Sequence, residues 1–172
     1  MDLAAAEAGI REAEIERLML TYQDSLLRMC FVYLHDITLA EDALQETFIK
    51  AYNRYHTYRG DSSEKTWLMR IAINTCKDLR RGGWFRHMSK RISLQDLPEP
   101  TCTFEPTDET IIIKVMALPD KLKAVVLLYY YQAMTAEEIG KALGIALPTV
   151  YQRLNRAHAK LKCELEGWYE NA

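Results

Sequence analysis

A chain of 172 residues, 49% hydrophobic and 27% charged with a net charge of -2, has the make-up of an ordinary soluble protein with one or two small domains. Its longest apolar run, Ala124 to Tyr131, is far shorter than the ~20 residues needed to span a membrane. The acidic N-terminus lacks a basic-then-apolar signal pattern, so a cytoplasmic protein is expected.

Cys30, Cys76, Cys102 and Cys163 form no CxxC pair, and His35, His56, His87 and His158 are scattered, which argues against a metal site and for reduced, packed thiols. No phosphate-cradling glycine loop, nucleophile elbow or HExxH occurs, so neither an enzyme nor a cofactor is expected. Repeated apolar stripes at spacings of three and four, with few extended β-branched alternations, predict an all-α fold.

The first segment, about Ile10 to Leu34, carries Ile15, Leu18, Met19, Tyr22, Leu26, Met29 and Tyr33 at helical spacing, so one or two packed helices are expected. Next, HDITLAEDALQETFIKAYNRY offers a capping box from Thr38 to Glu41, with Ala40, Leu44, Thr47, Phe48, Ala51 and Tyr55 on the inner face. The outer face collects Asp42, Gln45, Glu46, Ile49 and Asn53, an acid-and-amide surface with one exposed isoleucine. It fits a partner of opposite charge or a plain solvated face.

After a polar loop, HTYRGDSSEKT, a helix from about Lys65 to Arg81 places Leu68, Ile71, Ala72, Thr75 and Leu79 inward. Trp67, Arg70, Asn74, Lys77, Asp78 and Arg81 fall on its other side. An aromatic among bases and an amide suits unstacked bases held over a basic track, and Trp67 suits a core position equally well. Tyr58 and Arg59 in the loop fit either nucleic-acid contact or cover for the core edge.

Charge is segregated along the chain. Residues 1 to 50 hold ten acids against four bases, and residues 51 to 92 hold ten bases against three acids. Such alternation suggests two kinds of partner, a basic protein surface and a nucleic acid.

Periodicity fails from Gly82 to about Pro106, where a basic stretch and then a proline-interrupted acidic one read as an extended linker. Beyond it, Pro119 marks a helix start, and Leu122, Val125, Val126, Leu127, Leu128, Tyr129 and Tyr130 make that helix apolar nearly all round. Thr135 and Glu138 then form a capping box, Gly144 suits a left-handed helix end, and Pro148 suits the first turn of another helix. In that last helix Val150, Leu154, Ala157 and Leu161 face inward. Thr149, Tyr151, Gln152, Arg153, Asn155, Arg156, His158 and Lys160 face outward without an acid. The pair fits a DNA-reading helix-turn-helix or a plain helical hairpin, and the all-positive charge favours the first.

With these residues in view, the chain resembles the extracytoplasmic-function group of bacterial RNA polymerase sigma factors, the small two-domain kind. DALQETF and WLMRIAINTCKDLRR are similar to that family's core-binding and promoter-melting segment. LPDKLKAVVLLYY, EEIGKALGI and TVYQRLNRAHAKL are similar to its promoter-binding domain. The resemblance implies two small helical domains, at 10–82 and 110–167, joined by a flexible linker at 83–109, with a helix-turn-helix in the second.

It further implies that Asp42, Gln45, Glu46 and Ile49 bind core RNA polymerase. Tyr58, Arg59, Asp61, Trp67, Arg70, Asn74, Lys77, Arg80 and Arg81 would melt and hold the minus-ten element of promoter DNA. Pro148, Thr149, Tyr151, Gln152, Arg153 and Arg156 would read the minus-thirty-five element. An anti-sigma factor, commonly membrane-anchored in the family, is the remaining expected partner. Pro148 stands where many relatives have glycine, and Tyr151 and Gln152 where they often have lysine and serine, so base preference is expected to differ while docking is kept.

Overall fold

The computed structural model describes the backbone of residues 3–82 and 107–169 and the side chains of residues 8–82 and 111–163. Of the linker expected at 83–109, residues 83–106, with Cys102 and His87, lie outside the described residues. Every described element is helical.

Helix α1, Leu3–Leu34, is one continuous helix. Its Leu18, Leu26, Met29 and Tyr33 are buried as their spacing predicts, whereas Met19 is exposed. Helix α1 turns into α2, Ile37–Arg54, through His35, whose φ of 64° is left-handed, and Asp36. The cap of α2 is Asp36, which accepts a hydrogen bond from Leu39 N at 2.8 Å, and not Thr38. An extended aspartate two residues earlier claims the orphan donors first, so Thr38 is drawn into the helix. A short 3-10 turn at Tyr55–Thr57 and a loop lead to α3, Glu64–Arg81, capped by Ser63.

Helix α3 buries more than the expected stripe. Leu68, Ile71, Ala72 and Thr75 are buried, and so are Met69, Ile73 and Cys76, because α3 packs on α1 and α2 on one side and on the C-terminal half on the other. Cys76 Sγ lies 3.5 Å from Cys30 Sγ of α1, so these two thiols are packed as expected but do not stand alone. Cys163, by contrast, is exposed.

The C-terminal half begins with α4, Thr107–Ala117, so residues 107–109, expected in the linker, are helical. Helix α5, Asp120–Val126, starts after Pro119 and runs on into one π turn, Leu127–Tyr131. That helix is not apolar all round. Tyr129 and Tyr130 are exposed, and Lys123 is fully buried, next to His35 and Tyr33 of the N-terminal half.

Helix α6, Ala136–Leu143, has the full expected capping box: Thr135 Oγ1 accepts from Glu138 N at 3.2 Å, and Glu138 Oε2 accepts from Thr135 N at 2.8 Å. Gly144 ends it at φ 65°, a left-handed value that glycine takes without strain. Gly140 lets the turn close, since a Cβ there would lie 3.0 Å from the Ile145 carbonyl oxygen. Helix α7, Leu147–Tyr169, follows with Pro148 in its first turn. Val150, Leu154 and Ala157 are buried against α5 and α6.

The two halves pack together, chiefly α6 on α3, with α4 and α5 touching α1. Their buried side chains form one cluster.

Candidate polymerase and promoter interfaces

On α2 the expected acid-and-amide face forms as read. Asp42, Gln45 and Ile49 are exposed and Glu46 half-buried, with Ile49 at 55% exposure despite its large apolar side chain. The face is a ridge between two clefts. One, of about 620 Å³, lies toward α3 and includes Asp42, Gln45, Glu46 and Asp78. The other, of about 440 Å³, lies toward α1, is walled by Ile15, Met19, Leu44, Phe48 and Tyr52, and shares Gln45 and Ile49 with the first. Glu46 is partly matched by Lys50 at 3.4 Å; Asp42 has no ion pair among the described residues. An exposed isoleucine between apolar and acidic clefts suits a helix that carries both bases and aliphatic side chains.

The loop before α3 is built tightly. Gly60 takes φ 78°, Tyr58 donates its hydroxyl hydrogen to the Ser62 carbonyl at 2.6 Å, and Ser63 caps α3 through Thr66 N at 3.1 Å. Tyr58, Tyr55 and Trp67 cluster, with ring centroids 5.2 Å apart for Tyr58 and Trp67 and 6.2 Å for Tyr55 and Trp67. Trp67 is half-buried, which reconciles the two readings of it: one face packs on the tyrosines while the side chain reaches the surface. Burial raises the Tyr58 hydroxyl above its ordinary pKa, so it stays a donor. Arg59 and Asp61 are exposed beside this cluster.

Further along α3 the expected basic track is divided. Asn74 is exposed. Arg70 donates to the Lys141 carbonyl in the last turn of α6, where orphan carbonyls and the negative helix end favour a cation. Arg80 pairs with Asp120 at the start of α5. Lys77 and Arg81 line a cleft that Arg153 of α7 also lines, so residues expected on two different promoter elements meet.

On α7, Pro148, Tyr151, Gln152 and Arg156 are exposed as expected, with Asn155 beside them, and Thr149 is half-buried. Arg153 departs from that face, being half-buried toward α3. Tyr130 reaches His158 Nε2 at 2.7 Å.

Residues 18–86 match the family model Sigma-70 region 2, and residues 114–161 match Sigma-70, region 4. The chain belongs to the extracytoplasmic-function group of sigma-70 RNA polymerase sigma factors. The chain is 34% identical over 155 residues to the RNA polymerase sigma factor YlaC of Bacillus subtilis, with 86% of this chain and 90% of that one covered. It is 31% identical to the RNA polymerase sigma-E factor of Streptomyces coelicolor, over 88% of this chain and 86% of that one.

The fold is shared with CnrH, solved with the cytosolic domain of CnrY, at a TM-score of 0.73, 23% identity and 96% coverage of both chains. It is shared equally with the sigma factor RpoE of Bartonella quintana, solved with the anti-sigma factor NepR, at a TM-score of 0.73, 19% identity and coverage of 89% of this chain and 97% of that one. The function of this sigma factor is promoter-specific initiation of transcription. Every expected contact residue falls within one of the two matched regions.

Sequence reasoning missed what joins this sigma factor's halves. Lys65 donates to the Gln132 carbonyl, and the Gln132 amide donates to the Ser25 carbonyl at 3.0 Å. Lys123 Nζ lies 2.8 Å from His35 Nε2 and 5.7 Å from the centre of the Tyr33 ring. None of these pairs is periodic or close in sequence, so no local pattern announces them.

Proposed function

We propose that the sigma factor divides its work between helices: α2 grips core RNA polymerase, the Tyr58–Ser63 loop and α3 open the minus-ten element, and α7 reads the minus-thirty-five element. The α2 ridge carries this reading, because Asp42, Gln45 and Ile49 stand exposed between two clefts beside the half-buried Glu46, and among the described residues the only ion pair on the ridge is Glu46 with its own-helix neighbour Lys50. The aromatic cluster at Trp67 supports base holding, since stacking on aromatic rings offsets the few kcal/mol spent on unpairing a base. The exposed Tyr151, Gln152 and Arg156 support base-edge contact in a major groove.

The protein carries out no chemistry of its own; it supplies sequence choice and strand opening to the polymerase. It acts in the cytoplasm, where its polymerase and promoters are. An anti-sigma factor is its regulatory partner; the similarly folded sigma factor RpoE was solved in complex with the anti-sigma factor NepR.

Two elements about 25 base pairs apart are separated by ~85 Å of duplex. Lys77 and Arg153 share one cleft, so the halves part when both elements are engaged. Run-off transcription with core polymerase tests the assignment. Asp42→Ala is expected to raise the concentration of sigma factor needed for half-maximal product by about tenfold while leaving promoter choice unchanged. Unchanged dependence on sigma concentration would remove the α2 ridge from the polymerase interface.

A further inference from the structure

The cleft between the two halves has a volume of about 480 Å³, a size usual for small-molecule sites. Lys77, Arg80 and Arg81 of α3, Lys121 of α5 and Arg153 of α7 supply five cations to its wall, against the single acid Asp120. Asp120 is already paired with Arg80. The other four cations have no ion pair among the described residues. Like charges converging in a partly enclosed cleft repel one another, and folding brought them there.

The charge shows in the titration of Lys77, whose ammonium is pushed below its ordinary pKa by burial and then by Arg153 and Arg81, with Asp78 and Asp120 only partly offsetting. A second and independent observation concerns Tyr33 of α1. It lines the same cleft, is fully buried, and its hydroxyl alone among the buried side-chain polar atoms described has no hydrogen-bond partner. An orphan buried donor costs free energy and calls for an acceptor. Burial, and then Asp120, raise the Tyr33 hydroxyl far above its ordinary pKa, so it remains a donor.

We propose that this cleft binds a compact polyphosphate anion, seated among Lys77, Arg81, Lys121 and Arg153 and accepting a hydrogen bond from Tyr33, and that the bound anion holds the two halves together. The shared chemistry is a chain of linked phosphoryl groups, carried by inorganic polyphosphate or by a nucleotide. Phosphate oxygens satisfy the Tyr33 donor and neutralise four cations at once, which water does not. The site stands on the packed arrangement of the halves. Its consequence, competition with promoter DNA for Lys77, Arg81 and Arg153, rests on the function proposed above.

Titration calorimetry of the full chain with sodium tripolyphosphate, and separately with ATP, at fixed ionic strength tests the site. Saturable one-site binding is expected, at least about tenfold weaker in Tyr33→Phe, which keeps the ring, and about tenfold weaker in Lys121→Ala, an exposed residue outside the proposed DNA contacts. Lys160→Ala, on α7 away from the cleft, is expected to bind like the unaltered chain. Tighter binding of ATP assigns a nucleotide; tighter binding of tripolyphosphate assigns the inorganic chain.

Absence of saturable heat overturns the proposal, as does an equal loss in Lys160→Ala, which would mark loose adhesion to the DNA-reading surface. A DNA duplex weakened as much as tripolyphosphate by Lys121→Ala would overturn it too, giving the cleft to DNA phosphates. In run-off transcription without added polyanion, Lys121→Ala is expected to match the unaltered chain. Failure of that unaltered chain to transcribe would strike the functional reading and leave the calorimetry standing.

Discussion

Two single residues carry strain or charge that their neighbours do not remove. Ala133 adopts φ 48° in the turn between the π segment and α6, a left-handed value in which a Cβ meets the following carbonyl at a cost of about 1–2 kcal/mol. Glycine removes that clash but adds freedom to the unfolded chain, so Ala133→Gly is expected to stabilise by up to about 1 kcal/mol, read as a higher urea midpoint at unchanged slope. Lys123 is fully buried, and its ammonium pKa is pushed down to about 8 from 10.5, first by burial and then by Arg80, with Asp120 acting the other way. Between those two values the unfolded chain holds a proton that the folded chain has released. Stability therefore rises as pH climbs from about 8 past 10, and the penalty is at its full value at neutral pH. Lys123→Met is expected to stabilise at pH 7 by on the order of 2 kcal/mol, with the advantage fading above pH 10 in thermal melts. Tyr33 and His35 face the same ammonium, alongside Arg80 and Asp120.

Among the elements, the helix-turn-helix was the most legible in the sequence and α3 the least. The Thr135 box, the Gly144 end and the Pro148 start are local features, each decided by residues within four positions, and all three stand as read. Thr135→Ala removes the cap of an eight-residue helix and is expected to cost about 0.5–2 kcal/mol in chemical unfolding, with weaker promoter binding at elevated temperature. At α2 the same logic pointed to Thr38, because an acid three residues on is a conspicuous signal, whereas the left-handed His35 that sets Asp36 extended leaves no mark in the sequence. Helix α3 read as one buried stripe and one open basic track. Met69 and Ile73 are buried beyond that stripe because α6 packs on α3 as well, and Arg70 of the track, though exposed, is tied to the Lys141 carbonyl of α6.

At the scale of the whole molecule, α2 and α7 were legible as surfaces because periodicity states what turns outward. How the halves meet was not, because neither the apolar contact between α3 and α6 nor polar pairs such as Arg80 with Asp120, Lys65 with Gln132 and Lys123 with His35, which lie 40 or more residues apart, follow from a local pattern. A half-exposed ion pair such as Arg80–Asp120 contributes no more than about 1 kcal/mol, so the packed arrangement rests chiefly on apolar contact between α3 and α6. It is therefore poised to yield to partners that bind the halves apart. Fluorescence energy transfer between dyes at Asn53 and Cys163 is expected to be high in the free chain and to fall when core polymerase and promoter DNA are both added. Constant transfer would mean that the halves engage DNA without separating.

The π turn at Leu127–Tyr131 has a consequence for chain length. Gln132 N bonds to the Leu127 carbonyl at 3.1 Å, five residues back where a regular helix reaches four, so this turn holds one residue more than its geometry requires. The surplus is displayed outward, where Tyr129 is exposed beside Tyr130, whose hydroxyl meets His158 of α7. Removing Tyr129 would let the turn relax to the common pitch with its flanks in place, which makes this a point where the protein can shed a residue and keep its reading helix aimed as before.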